Sequence, residues 1–183
     1  MKEMIEKAVR SYYGYDIEAY QHWVSEIEDH IKKEPNENKR AELIGEYKLV
    51  CSLVYLNMPE KLCEFYSEAV KCRVKSDIFE INETFLLAWA YDDLIEYFGM
   101  PLEKADTVAE ALDKAVALHA ELSNAANGTD MLYRAEVAMR RNEFEKALYY
   151  AREAKKLLPM KNLAAHACSD RISECAYRAI RFE

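Results

Sequence analysis

Residues 141–159 read RNEFEKALYYAREAKKLLP, and the fold turns on whether they form a lone amphipathic helix or one unit of a repeat. Phe144, Ala147, Leu148, Ala151 and Ala154 recur at three-to-four spacing, which gives a helix with one apolar and one charged face. The alanines carry more information than the periodicity. Small side chains at Ala147, Ala151 and Ala154 let neighbouring backbones approach closely, and Pro159 stops the helix before its successor begins.

Outward from this stretch the same signals recur. Asp16 can cap a helix running to about Lys33, with Ile17, Tyr20, Val24, Ile27 and Ile31 on one face. Pro35 and the polar run NENK break it, and a second helix from about Lys39 to Leu56 has Leu43, Tyr47, Val50 and Val54 on its apolar side. Pro59 suits the first turn of a third, PEKLCEFYSEAVKCR, which groups Leu62, Phe65, Tyr66, Ala69 and Val70. The stretch from about Arg73 to Asn82 reads as a connector. Asn82 caps NETFLLAWAYDDLIEYF, which stops at Gly99, and ADTVAEALDKAVALHAEL follows with Ala105, Val108, Leu112, Ala115, His119 and Leu122 on one stripe. The turn NAANGTD leads into MLYRAEVAMRR, which starts at Thr129 or Asp130, and Asn142 starts the quoted helix. A last helix from about Asn162 to Ile180 places Ala164, Cys168, Ile172, Cys175 and Ala179 on its buried side. Residues 1–15 read as a linker to an upstream module; Tyr12, Tyr13 and Tyr15 pack either on the first hairpin or on that module.

The composition agrees with helices alone. Only four Gly and four Pro occur in 183 residues, with 51% hydrophobic and 32% charged, whereas strands and hairpins need more turn residues. No stretch approaches the roughly 20 apolar residues of a membrane span, and MKEMIEKAVR lacks the apolar centre of a signal peptide, so a cytoplasmic address without membrane contact is expected. Cys51, Cys63, Cys72, Cys168 and Cys175 are odd in number and form no C-x-x-C pair, which reads as reduced core thiols. A formal charge of -8 sets the chain against the phosphate backbone, so this segment is not expected to bind nucleic acid directly.

The pattern N-x-F-x-x-A-L from Asn142 to Leu148, followed by Ala154 and Pro159, resembles the second helix of a tetratricopeptide repeat. The preceding MLYRAEVAMRR departs from that family, which usually shows a Trp, a Leu-Gly pair and a Tyr there. First helices beginning near residues 39, 83 and 130 repeat at about 44 to 47 residues, against about 34 in the consensus. The resemblance implies an all-α solenoid of stacked antiparallel hairpins in one domain over 1–183, with a last complete repeat at about 129–159 and a capping helix at 160–183. Over a longer span, YQHWVSEIEDHIKKE, AELIGEYKLVCSLVYLNMPEKLCEFYSEAV, SDIFEINETF and YRAEVAMRRNEFEKALYYAREA resemble the helical-repeat region of MalT-like regulators of the LuxR class.

That second resemblance implies a sensor arm: a non-catalytic region that binds a small-molecule inducer or a protein partner within a transcription regulator. The alternative is a stand-alone adaptor that holds a protein partner. No G-x-x-x-x-G-K-[ST] loop is present, and no LuxR-type helix-turn-helix follows Pro159. The end at IRFE reads either as a fragment of a longer polypeptide or as a natural cap. Two clusters are candidate binding sites. Phe85, Trp89 and Asp92 share a helix face, which would set a stacking ring beside a carboxylate; the other reading puts Trp89 in the core with Asp92 and Asp93 in solvent. Tyr133 and Arg134, with Arg140 and Arg141, could clamp an anionic ligand, or could be ordinary surface charge. His166 and Cys168 lie roughly 200° apart on the helical wheel, so no metal site forms with Asp170. His119 reads as a core histidine. No nucleophile–base pair stands out, so neither catalysis nor a cofactor is expected.

Overall fold

The apolar stripes fold as helices. The computed structural model describes residues 1–72, 94–123, 128–158 and 163–182, and among these there is no strand. In chain order the α-helices are α1 (Lys2–Tyr13), α2 (Ile17–Lys32), α3 (Glu37–Ser52), α4 (Pro59–Lys71), α5 (Leu94–Phe98), α6 (Ala105–Ser123), α7 (Thr129–Arg140), α8 (Phe144–Leu157) and α9 (Leu163–Phe182). Two single turns of tighter helix, Leu53–Tyr55 and Leu102–Lys104, follow α3 and precede α6. Asp16 accepts from the Ala19 amide at 3.0 Å and Asn36 from the Lys39 amide at 3.0 Å, so both cap their helices as their chemistry demands. Gly128 enters α7 with φ 66°, and a Cβ there would stand 2.9 Å from the Ala154 carbonyl oxygen and 3.0 Å from Leu157 Cβ. Only glycine meets both conditions.

Apart from the short α5, which packs on α7, each helix packs on a sequence neighbour, and most such pairs are antiparallel. Lys7 sits over the Trp23 ring at 4.6 Å while Tyr12 meets Tyr20 at 5.6 Å, so α1 and α2 are antiparallel. The Tyr20 hydroxyl donates to the Val50 carbonyl at 3.0 Å, joining the start of α2 to the end of α3. Lys48 reaches Glu68 at 2.7 Å between α3 and α4. The α4 helix then lies along α6, where the Cys63 thiol donates to the Ala111 carbonyl at 3.2 Å and Tyr66 faces His119 farther along both helices. These two run in the same sense. Arg134 on α7 meets Asp113 on α6, and Arg141 meets Asp106, which makes that pair antiparallel. In the last hairpins, Ala147, Ala151 and Ala154 are wholly buried where α8 packs on α7 and α9, and Ser169 donates to the Ala151 carbonyl at 2.7 Å. Additional contacts join α1 to α3, and both α5 and α9 to α7. The directions place the α1–α2, α3–α4, α5–α6 and α7–α8 turns at one end of the molecule.

Several expectations change. Residues 2–13, read as linker, form α1 with Ile5, Ala8 and Val9 buried against the first hairpin. The second expected helix ends as α-helix at Ser52, because the chain tightens through Leu53–Tyr55 before Pro59. Asn142 does not start α8: it holds the turn at φ 59°, and the helix begins at Phe144. In α9 the buried row is Cys168, Ile172 and Ala176, so Cys175 is exposed; the four-residue steps carry the row past it. Ile17 and Val54, expected on apolar faces, are exposed. Pro159 and most of the expected helix from Asn82 to Gly99 lie outside the described residues.

Candidate functional site

Of the expected binding residues, Trp89 and Asp92 lie outside the described residues, and Tyr133 and Arg134 sit on α7. The Tyr133 ring is buried and meets Phe98 in a T-shaped contact, with centroids 5.4 Å apart and planes at 84°, so it anchors α5 to α7. Arg134 points the other way and grips Asp113, its Nε 3.3 Å from Oδ1 and its Nη2 on Oδ2. Arg141 forks onto Asp106 at 2.9 and 3.0 Å, and Arg140 reaches Glu96 at 4.0 Å. The Arg141 guanidinium holds the Asp106 carboxyl below its ordinary value. Each guanidinium of the row thus meets a carboxylate of the chain itself, and the row closes α6 and α5 onto α7. An anionic ligand entering here would compete with Asp113 and Asp106.

A second polar cluster is buried behind this row. The Glu136 carboxylate accepts from the Leu94 and Ile95 amides at 2.6 and 3.2 Å, which are the first amides of α5. Its other oxygen accepts from the Cys168 thiol of α9 at 3.5 Å. One side chain therefore ties three helices. Burial, then the Glu136 charge, pushes the Cys168 thiol up to about 11, so it stays protonated near neutral pH and is a poor nucleophile. His119 is buried between Tyr66 and Ser123, and burial lowers it to about 4, so its imidazole is neutral. Sequence reasoning placed His119 correctly in the core and missed Glu136, whose burial depends on α5 folding over it.

A groove on the outer face of α9 was also missed. Its lining includes Glu174, Tyr177, Arg178 and Arg181, around a volume of about 690 Å³. Arg178 pairs with Glu174, while the Arg181 guanidinium lies over the Tyr177 ring at 5.3 Å and meets no carboxylate among the described residues. The signal was in the sequence: Glu174, Tyr177, Arg178 and Arg181 repeat at three-to-four spacing opposite Cys168, Ile172 and Ala176. An exposed guanidinium on an aromatic face suits the carboxylates of a protein partner.

The sequence matches no family model, and no curated protein or solved structure matches it. Among the described residues no helix is long and apolar enough to cross a membrane, and no cluster of three or more His, Cys, Asp or Glu side chains is arranged to hold a metal ion.

Proposed function

We propose that this chain is a non-catalytic, tetratricopeptide-like interaction arm, a solenoid of stacked hairpins that binds an inducer or a regulatory protein. The observation that carries this reading is the second set of packing contacts: α1 touches α3, and α5 and α9 both touch α7. The first helices α1 and α7 thus meet a helix two places along the chain as well as the partner that follows each of them. Stacked hairpins produce this double contact, and the surface lined by such first helices is the one solenoids use for binding. The expected setting is the sensor arm of a MalT-like, LuxR-class transcription regulator in the cytoplasm, which rests on the sequence resemblance alone.

A stand-alone adaptor is the second reading, and the α9 groove favours it, since Arg181 and Tyr177 offer a surface suited to protein carboxylates. Thermal denaturation over a panel of sugars, nucleotides and organic acids separates the two. A ligand at a hundred times its Kd stabilises the native state by about 2.7 kcal/mol, which for a domain of this size raises Tm by roughly 5–10 °C. A saturable rise of that order with one compound is the result expected of a sensor arm. A flat response, with one protein retained from the source cell and lost on Arg181→Glu, assigns the adaptor role. Steady turnover of any panel compound overturns the non-catalytic reading.

A further inference from the structure

We propose that the end of the molecule carrying the α1–α2, α3–α4 and α5–α6 turns docks a basic amphipathic helix. This docking edge presupposes the interaction role above and names the chemistry of one partner. Eight large apolar side chains are strongly exposed among the described residues, and five of them lie in or directly beside these three turns. They are Tyr15, Ile17, Val54, Met58 and Met100, and their exposure runs from 43% at Val54 to 87% at Tyr15. Single exposed apolar residues are ordinary on any protein, but turns favour Gly, Asn, Asp and Ser, and five such side chains gathered at one end are not scattered. The contrast with the fourth turn at this end sharpens the point. Asn142 and Tyr15 hold nearly the same left-handed backbone, φ 59° and 58°, yet one position carries the residue the turn prefers and the other an aromatic ring in solvent.

The three turns lie together because of the helix directions. The Tyr20–Val50 hydrogen bond sets the first turn beside the second, and the shared sense of α4 and α6 sets the third beside Met58 and Pro59. Charge then selects the partner. The turns and the helical residues that follow them carry Asp16, Glu18, Glu60 and Glu103 against Lys61 and Lys104, and Lys61 is already tied to Glu64 at 2.8 Å. Glu18, Glu60 and Glu103 form no ion pair among the described residues. A helix with an apolar stripe flanked by lysines would cover Met58, Met100 and Ile17 while setting its ammonium groups on these carboxylates. Two methionines give the edge side chains that adapt to an irregular apolar stripe.

The test uses the full chain and a labelled synthetic helix of about 18 residues, roughly five turns, built from Leu and Lys in amphipathic order, beside a counterpart with Glu in place of Lys. Fluorescence anisotropy should show saturable binding of the Lys peptide only. Binding should weaken roughly tenfold or more in the Met58→Ser/Met100→Ser variant, and likewise in Glu18→Lys/Glu60→Lys/Glu103→Lys, with the helical circular dichroism of both unchanged. Equal binding of the Glu peptide, or wild-type affinity in both variants, overturns the edge. A wild-type dimer in solution that Met58→Ser/Met100→Ser dissolves overturns it in favour of a second copy. If wild type binds neither peptide yet still answers the compound panel or retains a cellular partner, the edge falls and the interaction arm stands.

Discussion

Burial has set the state of His119, and the consequence is measurable. In the folded chain its imidazole titrates near 4, against an ordinary value of 6.5, because the pocket between Tyr66 and Ser123 disfavours the charged form. Between those pH values the unfolded chain binds the extra proton and the folded chain does not. The stabilising contribution is therefore fully present above pH 6.5 and is lost as pH falls towards 4, a difference on the order of 3 kcal/mol. Urea denaturation across this range should show the wild-type midpoint falling with pH more steeply than that of His119→Leu; parallel curves would mean that the ring is hydrated. Tyr15 makes the opposite kind of prediction. Its left-handed backbone suits Asn or Gly, so Tyr15→Asn should raise stability by up to about 1 kcal/mol, read as a Tm a few degrees higher. A lower Tm would show that the exposed ring stabilises the α1–α2 turn.

At the scale of elements, the hairpin of α7 and α8 depends on a residue with no side chain, and its neighbours depend on one buried carboxylate. Gly128→Ala would drive a methyl group into the Ala154 carbonyl and Leu157 while also straining a positive φ, and should cost roughly 1–3 kcal/mol. Glu136→Ala should cost about as much, since it strips the acceptor from the first amides of α5 and from the Cys168 thiol. Amide hydrogen exchange at Leu94 and Ile95 should then quicken in Glu136→Ala more than exchange within α2; equal quickening everywhere would deny Glu136 its local role. By contrast, Arg134→Ala should cost about 1 kcal/mol or less, because its bridge to Asp113 is partly in water. These differences mark what was legible. The alanine row of α8 and the stripe of α6 follow from local spacing, and both are buried as read. The role of Glu136 is set by residues 41 and 42 positions away, and the exposure of Cys175 by which side of α9 meets α8, and neither leaves a local trace.

Across the whole molecule, packing runs largely along the chain: α1 packs on α2 and α3, α4 on α3 and α6, and α8 on α7 and α9. The antiparallel neighbours were legible because short turns leave few alternatives. The lengthwise contact of α4 with α6 was not, since it joins helices separated by residues 72–104 and rests on contacts such as Cys63 to Ala111. If the helices form a linear stack, stability is a sum of local and nearest-neighbour contributions rather than the property of one core. A lesion at one end should then stay there. Gly128→Ala should speed hydrogen exchange in α7, α8 and α9 under native conditions while leaving the slowest amides of α1, α2 and α3 near their wild-type rates. A single cooperative core would instead speed the slowest amides of every helix by the same factor, because all of them would exchange through one global opening weakened by one amount. The second outcome would replace the solenoid with a helical bundle and remove the main support for a continuous binding face. The first would mean that a partner at the turn end stabilises only the hairpins it touches, so that protection mapped with the Lys peptide bound should rise in α1 to α6 and fade through α7 to α9.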